Sequence, residues 1–181
     1  MTVKETQKGL ESFFHMATLA LCFLLITLLV QGGEGASVKS SCKLEKSTFQ
    51  QRYISHRIIS LAQKGSLFDN ETSTRLLERS MFNDVEDTNR CYMMKEILNL
   101  VLKEALPPHQ QKFKSDMQDV LPFLHDLKSK LNGCTLKGDG SPVQRKIDNV
   151  KSKLKQLGKN GEIKAISELD LLFMFLRRYC A

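Results

Sequence analysis

Four cysteines are the side chains of this sequence with the clearest covalent chemistry: Cys42, Cys91, Cys134 and Cys180. A fifth, Cys22, lies in an N-terminal segment that resembles a cleaved signal peptide. An even number of cysteines in a secreted chain predicts two disulfides, but the spacing alone leaves all three connectivities open. No C-x-x-C pair occurs, so neither a thioredoxin-like redox site nor a zinc knuckle has support. The cysteines therefore indicate structural cross-links.

The remaining side chains form no pattern typical of a catalytic or metal site. Outside the N-terminal segment there are three histidines, His56, His109 and His125, and they fall in three different segments. The sequence contains no H-E-x-x-H, G-x-S-x-G, P-loop or G-x-G-x-x-G motif. An active site needs several reactive groups drawn into one cleft. We therefore predict a protein that is not an enzyme and that carries no metal or cofactor.

Residues 1–35 have the three-part pattern of a secretory signal peptide, and residues 36–181 are predicted to form one domain. An apolar run of fifteen residues at 16–30 is followed by Gly33 and Gly35, which allow cleavage after residue 35. The alternative is an uncleaved membrane anchor. Fifteen residues span only about 22 Å as a helix, however, and the hydrocarbon core of a bilayer is about 30 Å thick. We therefore predict a secreted, extracellular protein.

The chain is basic, with a formal net charge of +7. Cleavage after residue 35 would remove two lysines and three acidic residues and so raise the charge to +8. Such a charge is compatible with nucleic acid, sulfated glycans or a membrane surface as partners, and secretion argues against nucleic acid. Lys151, Lys155 and Lys159 recur at intervals of four on one predicted helix face. We interpret this lysine stripe as a solvated face, with weak glycosaminoglycan contact as the alternative.

Apolar side chains recur at helical spacing through the mature chain, and strand signals are absent. The pattern predicts six helices, four of them long, in one all-α bundle. Ser47 and Gln50 form a capping box at the first helix, and Ser141 is the predicted cap of the fifth. Pro122 predicts a kink in the fourth helix. The predicted helices span residues 47–64, 74–82, 88–106, 109–132, 142–157 and 161–180.

The last predicted helix divides into an apolar and a polar half. Residues 171–176, L-L-F-M-F-L, are apolar all round and belong in the core of a bundle. Lys164 and Glu168 are four apart on the opposite face and are predicted to pair and to stay exposed. The loop after the first helix can reach this end of the bundle, so residues 69–75 join it as a candidate binding face. That loop also contains Asn70-Glu71-Thr72, a sequon that predicts a glycan on Asn70.

Five segments carry a family resemblance. The most specific is G-E-I-K-A-I-S-E-L-D-L-L-F at 161–173; the others are L-L-V-Q-G-G at 28–33, S-T-F-Q-Q at 47–51, R-C-Y-M-M-K at 90–95 and V-L-P-F-L at 120–124. Together they make the chain similar to the interleukin-10 family of helical cytokines along its whole length. The resemblance implies the six-helix bundle of the class II cytokines.

The resemblance also implies a disulfide pairing and a signalling function. The disulfides would join Cys42 to Cys134 and Cys91 to Cys180. A cytokine of this family would bridge a specific class II receptor chain and the shared interleukin-10 receptor β chain. Bridging activates Janus kinases and STAT proteins in epithelial and other non-blood cells, and a soluble decoy receptor is a further expected partner. A cationic host-defence or glycan-binding protein that acts without a receptor is the alternative function.

Two groups of receptor-contacting residues follow from the same resemblance. The specific chain would contact the loop after the first helix and the start of the last helix, with Arg75 and Lys164 as anchors. The residues expected in that contact are Asp69, Thr72, Arg75, Lys164 and Glu168. The residues expected to contact the shared chain are Tyr53, Arg57 and Asp119. Two positions depart from the family pattern: Asp116 replaces an aromatic residue, and Ser73 replaces an acidic one.

Overall fold

The computed structural model of the protein describes residues 42–181. The predicted signal peptide, its cleavage site and Cys22 lie outside the described residues. Within residues 42–181 the chain forms six α-helices and no β-strand, which confirms the predicted all-α class. The helices are α1 (Arg52–Ser66), α2 (Asp87–Leu100), α3 (Lys114–Lys130), α4 (Ser141–Leu157), α5 (Lys159–Ser167) and α6 (Leu169–Cys180). None of these helices is long and apolar enough to cross a membrane.

The helices enclose one apolar core. α1 packs against α3, α5 and α6, and α2 packs against α4 and α6. The apolar positions of the helical pattern face this core, and removing each large side chain from water contributes about 1.5–3 kcal/mol. Side chains with no exposed area in five of the helices include Leu61, Ile97, Leu127, Ile166 and Leu176. The core therefore fixes how α1, α5 and α6 lie relative to one another.

Two disulfides join distant parts of the chain, with the pairing that the resemblance implies. Cys42 is bonded to Cys134, which ties the segment ahead of α1 to the loop between α3 and α4. Cys91 is bonded to Cys180, which ties the second turn of α2 to the end of α6. The bonded residues are 92 and 89 positions apart. Constraint of the unfolded chain by loops of this length contributes about 4–5 kcal/mol each.

The first helix begins later than its capping box predicts. Lys46–Phe49 form a 3₁₀ turn, and α1 starts at Arg52 after the extended backbone of Gln51. The Ser47 hydroxyl donates to Glu45 Oε2 at 3.1 Å and caps no helix. Phe49 is buried, with its ring 5.8 Å from that of Phe173. Tertiary packing of this ring therefore overrides the local capping signal.

The predicted helix at 74–82 is wrong except for its last turn. Only Arg79–Phe82 are helical, as a 3₁₀ turn, and residues 67–78 form an irregular loop. The backbone N–H groups of Leu76 and Leu77 donate to the carboxylate of Glu168 and make no helical hydrogen bonds. The leucine side chains are buried. A distant carboxylate and the core thus hold this segment in a non-helical form.

The last predicted helix is two helices. α5 begins directly after Gly158, whose φ of 55° lies in the left-handed region, so the predicted linker at 158–161 is a single residue. Glu168, with φ −104° and ψ 14°, separates α5 from α6. This break turns the Glu168 side chain towards the loop described above. The apolar face predicted for this segment is confirmed, because Ile166, Leu169 and Phe173 are all buried.

Three smaller differences concern helix ends. α2 gives way to a π-helical turn, Val101–Ala105, in which Leu106 N–H donates to Val101 C=O at 3.1 Å. α3 begins later than predicted and runs through Pro122. Ser141 is the first residue of α4 and not its cap, and its N–H donates to Asp139 Oδ1 at 2.9 Å.

Candidate functional site

The loop after α1, residues 67–78, is held against α5 by a buried lysine. Lys164 Nζ donates to the Glu71 carbonyl at 2.7 Å and to Asp69 Oδ2 at 3.1 Å, and lies 3.8 Å from Glu168 Oε1. Lys164 is only 9% exposed, so these contacts replace most of its hydration. We call Asp69, Glu71, Lys164, Ser167 and Glu168 the loop cluster.

Glu168 supplies the second tie between the loop and the helices. Its carboxylate accepts hydrogen bonds from Leu77 N–H at 2.8 Å and from Leu76 N–H at 3.1 Å. Burial raises the pKa of Glu168, although the two N–H donors and the charge of Lys164 oppose that shift. The carboxylate therefore acts as a cap for loop backbone that lies about ninety residues away in the chain.

Asp69 supplies the third tie. Its Oδ2 accepts a hydrogen bond from the Ser167 hydroxyl at 2.7 Å, and its Oδ1 accepts one from Glu71 N–H at 3.0 Å. Burial by itself raises the pKa of Asp69, but the bonds from Ser167, Lys164 and Glu71 outweigh burial and hold the pKa below its usual value. Asp69 is thus an ionised anchor for the start of the loop.

Glu71 organises the outer part of the loop. One oxygen, Oε1, accepts the Ser73 hydroxyl at 2.5 Å and the N–H groups of Ser73 and Thr74 at 3.0 Å each. The Ser73 hydroxyl, the Ser73 N–H and the Thr74 donors lower the pKa of Glu71. Ser73 is the position where the family pattern has an acidic residue, and here it donates to one. The loop tip therefore has a fixed shape although it is exposed.

The exposed residues of the loop surround a shallow space of about 430 Å³. Thr72 and Arg75 line it, and Asn70 is exposed on the same loop, as its predicted glycan requires. Lys153 of α4 closes the space from the other side, because its Nζ donates to the Arg75 carbonyl at 2.9 Å. No pattern in the sequence identifies Lys153, because its hydrogen-bond partner lies 78 residues away.

The five residues predicted to contact the specific chain are thus brought together, but in two layers. Thr72 and Arg75 are exposed, and Asp69 is half-buried. The prediction that Lys164 and Glu168 stay exposed is wrong, because the loop folds over both; their predicted pairing is confirmed at 3.8 Å. The buried layer positions the loop, and the exposed layer is free to touch a partner.

A second group of charged side chains joins α1 to α3. The Tyr53 hydroxyl donates to Asp119 Oδ2 at 2.7 Å, and Arg57 Nε donates to the same oxygen at 3.1 Å. Tyr53 is 63% exposed, and the bond to Asp119 raises its pKa. The three residues predicted to contact the shared chain therefore form one surface unit. With Lys64 and Asp116 we call them the α1–α3 cluster.

Asp116 is the buried part of the α1–α3 cluster, with 1% of its surface exposed. Its carboxylate lies 2.5 Å from Lys64 Nζ and 3.3 Å from an Arg57 nitrogen. Burial tends to raise the pKa of Asp116, but Lys64 and Arg57 outweigh burial and hold the pKa below its usual value. Two cations on α1 therefore satisfy this buried carboxylate, at the position where the resemblance implies an aromatic residue. The sequence reasoning missed the role of Lys64.

The three histidines lie in different parts of the fold: His56 in α1, His109 in the 3₁₀ turn Pro107–His109 and His125 in α3. His56 and His125 are exposed, and His109 Nε2 is 2.8 Å from Glu162 Oε2. No three His, Cys, Asp or Glu side chains within residues 42–181 come together in a way that could hold a metal ion. The chemistry that this surface offers is therefore ion pairing and hydrogen bonding to a partner.

The lysine stripe is shorter than predicted. Lys151 and Lys155 are exposed on α4, but that helix ends at Leu157. Lys159 is the first residue of α5, beyond the break at Gly158, so it does not continue the same helix face. The predicted glycosaminoglycan contact would therefore have two lysines on one helix, and it stays a prediction.

Comparison with known proteins agrees with this architecture. The family described as "Interleukin 22 IL-10-related T-cell-derived-inducible factor" matches residues 42–180. The chain is 49% identical to interleukin-22 of Homo sapiens over 175 residues, which are 96% of this chain and 97% of that protein. It is 44% identical to interleukin-22b of Mus musculus over 93% of this chain and 95% of that protein. It is 22% identical to interleukin-10 of Saimiri sciureus over 91% of this chain and 96% of that protein. The chain therefore belongs to the interleukin-22 family and is a cytokine of the interleukin-10 family, not an enzyme.

Proposed function

We propose that the protein is secreted and bridges two class II cytokine receptor chains. One is a specific chain of the interleukin-22 receptor α type, and the other is the shared interleukin-10 receptor β chain. Bridging brings the receptor-bound Janus kinases together, and STAT phosphorylation follows in epithelial and other non-haematopoietic cells. A soluble decoy receptor that carries the specific-chain surface competes for the same contact.

The observation that carries this proposal is that the buried loop cluster supports an exposed layer of residues on loop 67–78. Lys164 and Glu168 immobilise loop backbone without reaching solvent, and Thr72 and Arg75 project from that rigid base. A partner that binds a pre-ordered loop loses little conformational entropy. Arg75 presents a planar guanidinium to carboxylates of a receptor loop, the geometry that gives arginine its frequent role as a hot spot.

The α1–α3 cluster is the proposed contact for the shared chain. Tyr53 offers an exposed ring whose hydroxyl is held by Asp119, and Arg57 is fixed between Asp119 and Asp116. Tyrosine and arginine supply much of the binding energy of protein interfaces because each brings area and hydrogen bonds at low entropic cost. Lys64 neutralises Asp116, so the partner meets no buried unpaired charge.

The experiment that tests this function measures binding to the two receptor ectodomains, separately and together. We expect the protein to bind the specific ectodomain by itself and to recruit the shared ectodomain into a ternary complex. We also expect STAT phosphorylation in an epithelial line that expresses both chains and none in a line lacking either. Failure to bind the specific ectodomain, or signalling in cells without it, would contradict the proposal.

A further inference from the structure

A basic groove lies between the start of α1 and the end of α6, on the face of α1 next to the one that carries Tyr53. It consists of two adjoining cavities of about 650 and 330 Å³ that share Gln50 and Arg177 in their walls. The cationic side chains that line it come from the 3₁₀ turn, from α1 and from α6. They are Lys46, Arg52, Arg177 and Arg178, and the His56 ring also lines the larger cavity.

The groove contains almost no negative charge. No Asp or Glu side chain lines either cavity. The neutral polar groups in the walls, Gln50 and Ser55, add hydrogen-bonding capacity. A concave surface of one sign concentrates counter-ions, because low-dielectric walls focus the field. The groove is therefore an electrostatic site for a polyanion.

The cations of the groove are not consumed by internal ion pairs. Within residues 42–181, Lys46, Arg52 and Arg177 make no salt bridge and no side-chain hydrogen bond, whereas Arg57 and Lys164 are fully engaged elsewhere. Arg178 lies 5.5 Å from the Tyr179 ring centroid and keeps its nitrogens for other partners. The donors therefore stay available to a ligand.

Helical geometry keeps this groove separate from the α1–α3 cluster. The α1 residues that line the groove, Arg52, Ser55, His56 and Ile59, follow the i, i+3, i+4, i+7 spacing of one helix face. Tyr53 lies on the neighbouring face and turns towards Asp119. α1 begins at Arg52, and the residue before it, Gln51, makes no side-chain cap hydrogen bond, so the N–H groups of the first turn add positive potential beside Gln50 and Arg52.

We propose that this groove binds a sulfated glycosaminoglycan chain. Sulfate groups repeat along such a polymer, and guanidinium groups bind sulfate oxygens through paired N–H donors as they bind phosphate. An extended, open groove with cations from three elements fits a linear polyanion. A folded protein partner would need apolar anchors, and Ile59 is the only large apolar side chain of the groove that is exposed. Binding here retains the cytokine at cell surfaces or in the matrix, independently of the receptor contacts proposed above.

The test compares two double variants that remove the same net charge. The groove variant is Arg52→Ala with Arg177→Ala, and the matched control is Lys151→Ala with Lys155→Ala on the lysine stripe. Affinity for immobilised heparin is measured by surface plasmon resonance over a range of salt concentrations. We expect the groove variant to bind at least tenfold more weakly at 0.15 M salt. The plot of log affinity against log salt concentration should become less steep by about 1.5, because binding with two fewer cationic contacts releases fewer counter-ions from the polyanion. The control should stay within about twofold of wild type.

Equal losses in both variants or a larger loss in the control would overturn the proposal. Binding to polyglutamate or to anionic phospholipid vesicles as tight as binding to heparin would also overturn it. Chemically desulfated heparin should bind at least tenfold more weakly than heparin, and equal binding contradicts the role of sulfate. If the alanine variant shows no cooperative thermal unfolding and so has not folded, the variant Arg52→Gln with Arg177→Gln is measured in its place and judged by the same outcomes. The groove variant should still bind the specific receptor ectodomain as tightly as wild type does. This measurement separates the glycosaminoglycan proposal from the receptor proposal.

Discussion

The loop cluster and the α1–α3 cluster are built from the same residue types but expose them differently. In the loop cluster the cation itself is buried, since Lys164 has Asp69, Glu168 and a loop carbonyl around it. In the α1–α3 cluster the anion is buried, and its cations, Arg57 and Lys64, reach solvent. A charge that is buried with its partners holds structure, and a charge that reaches solvent is free to bind. The residues predicted to contact a receptor are therefore of two kinds: buried ones that hold the structure, and solvent-exposed ones that are free to bind the partner.

The largest effect is expected from Lys164→Ala. The substitution leaves Asp69 and Glu168 buried without their cation, which should lower the free energy of unfolding by about 3 kcal/mol. Urea unfolding measures the loss, and amide hydrogen exchange should show faster exchange in residues 67–78. Lys155→Ala, an exposed lysine of α4, is the matched control and should change stability by less than about 0.5 kcal/mol. Equal stability of the two variants would remove the supporting role from Lys164.

Gly65→Ala should also affect the loop cluster, through packing and not through charge. An added Cβ would lie 2.8 Å from Ile166 Cγ2 and 2.9 Å from Ser167 N, so α5 must move away from α1. We expect a loss of about 1–3 kcal/mol in thermal or urea unfolding, although alanine favours a helix over glycine by about 1 kcal/mol. Gln63→Ala on the exposed face of α1 is the control. A stabilised Gly65→Ala protein would show that α1 and α5 do not approach so closely.

Acid should have opposite effects through two buried carboxylates, Asp116 of the α1–α3 cluster and Glu168 of the loop cluster. The pKa of Asp116 is lowered in the folded protein, so as the pH falls below the unfolded value of about 3.9 the unfolded state binds more protons than the folded state. The stability that ionised Asp116 contributes is therefore lost as the pH falls through its folded pKa. Asp116→Asn should therefore cost about 2 kcal/mol at pH 7, and the difference from wild type should shrink as the pH falls through 4. Asp126→Asn, at an exposed pair with Lys130, is the control. A difference that does not change with pH would contradict the ionised state of Asp116.

Glu168 should respond to acid in the opposite direction. Its folded pKa is raised, so the folded state binds more protons around and above the unfolded pKa of Glu. As the pH falls from 7 through the folded pKa, the wild type should gain stability relative to Glu168→Gln, which cannot titrate. Urea unfolding of both proteins between pH 7 and pH 4 measures this change. A relative loss of wild-type stability over that range would contradict the buried position of Glu168.

The smallest effect on stability is expected from Tyr53→Phe. The lost hydrogen bond to Asp119 is exposed, so the free energy of unfolding should change by less than about 0.5 kcal/mol. Binding to the shared receptor ectodomain should weaken several-fold, because the hydroxyl and the carboxylate form part of the proposed contact. Gln118→Ala, exposed beside Asp119, is the control for binding. A large loss of stability with unchanged binding would reverse the role assigned to this cluster.

The sequence predicted the bundle well because its signals are local. Helical spacing of apolar side chains identifies α1 to α4 and the core face of α6, since each pattern lies within one helix. Helix ends were less accurate where tertiary contacts compete, as at Ser47 and at residues 74–78. The break at Glu168 has no local signal, because glutamate favours a helix. The backbone N–H groups that bind its carboxylate belong to a loop about ninety residues away in the chain.

The candidate site was only partly predictable for the same reason. Arg75 and Asn70 lie in a polar loop, and their exposure follows from composition. The burial of Lys164 does not, because the carbonyl and carboxylate that receive it lie more than ninety residues away. The contact between Tyr53 and Asp119 spans 66 residues, and only the resemblance to a known family placed the two in one surface. Long-range polar pairing is thus the part that single-sequence patterns leave open.

The central claim is that the exposed residues of loop 67–78, which the loop cluster supports, bind the specific receptor chain, and Arg75→Ala tests it most directly. Among the described residues the Arg75 side chain makes no ion pair, side-chain hydrogen bond or ring contact, and neither does that of Arg79, an exposed arginine on the adjacent turn that serves as a matched control. Dissociation constants for the specific ectodomain are measured for both variants at equal stability. We predict at least tenfold weaker binding for Arg75→Ala and less than twofold change for Arg79→Ala. Equal affinity of the two variants would contradict the claim.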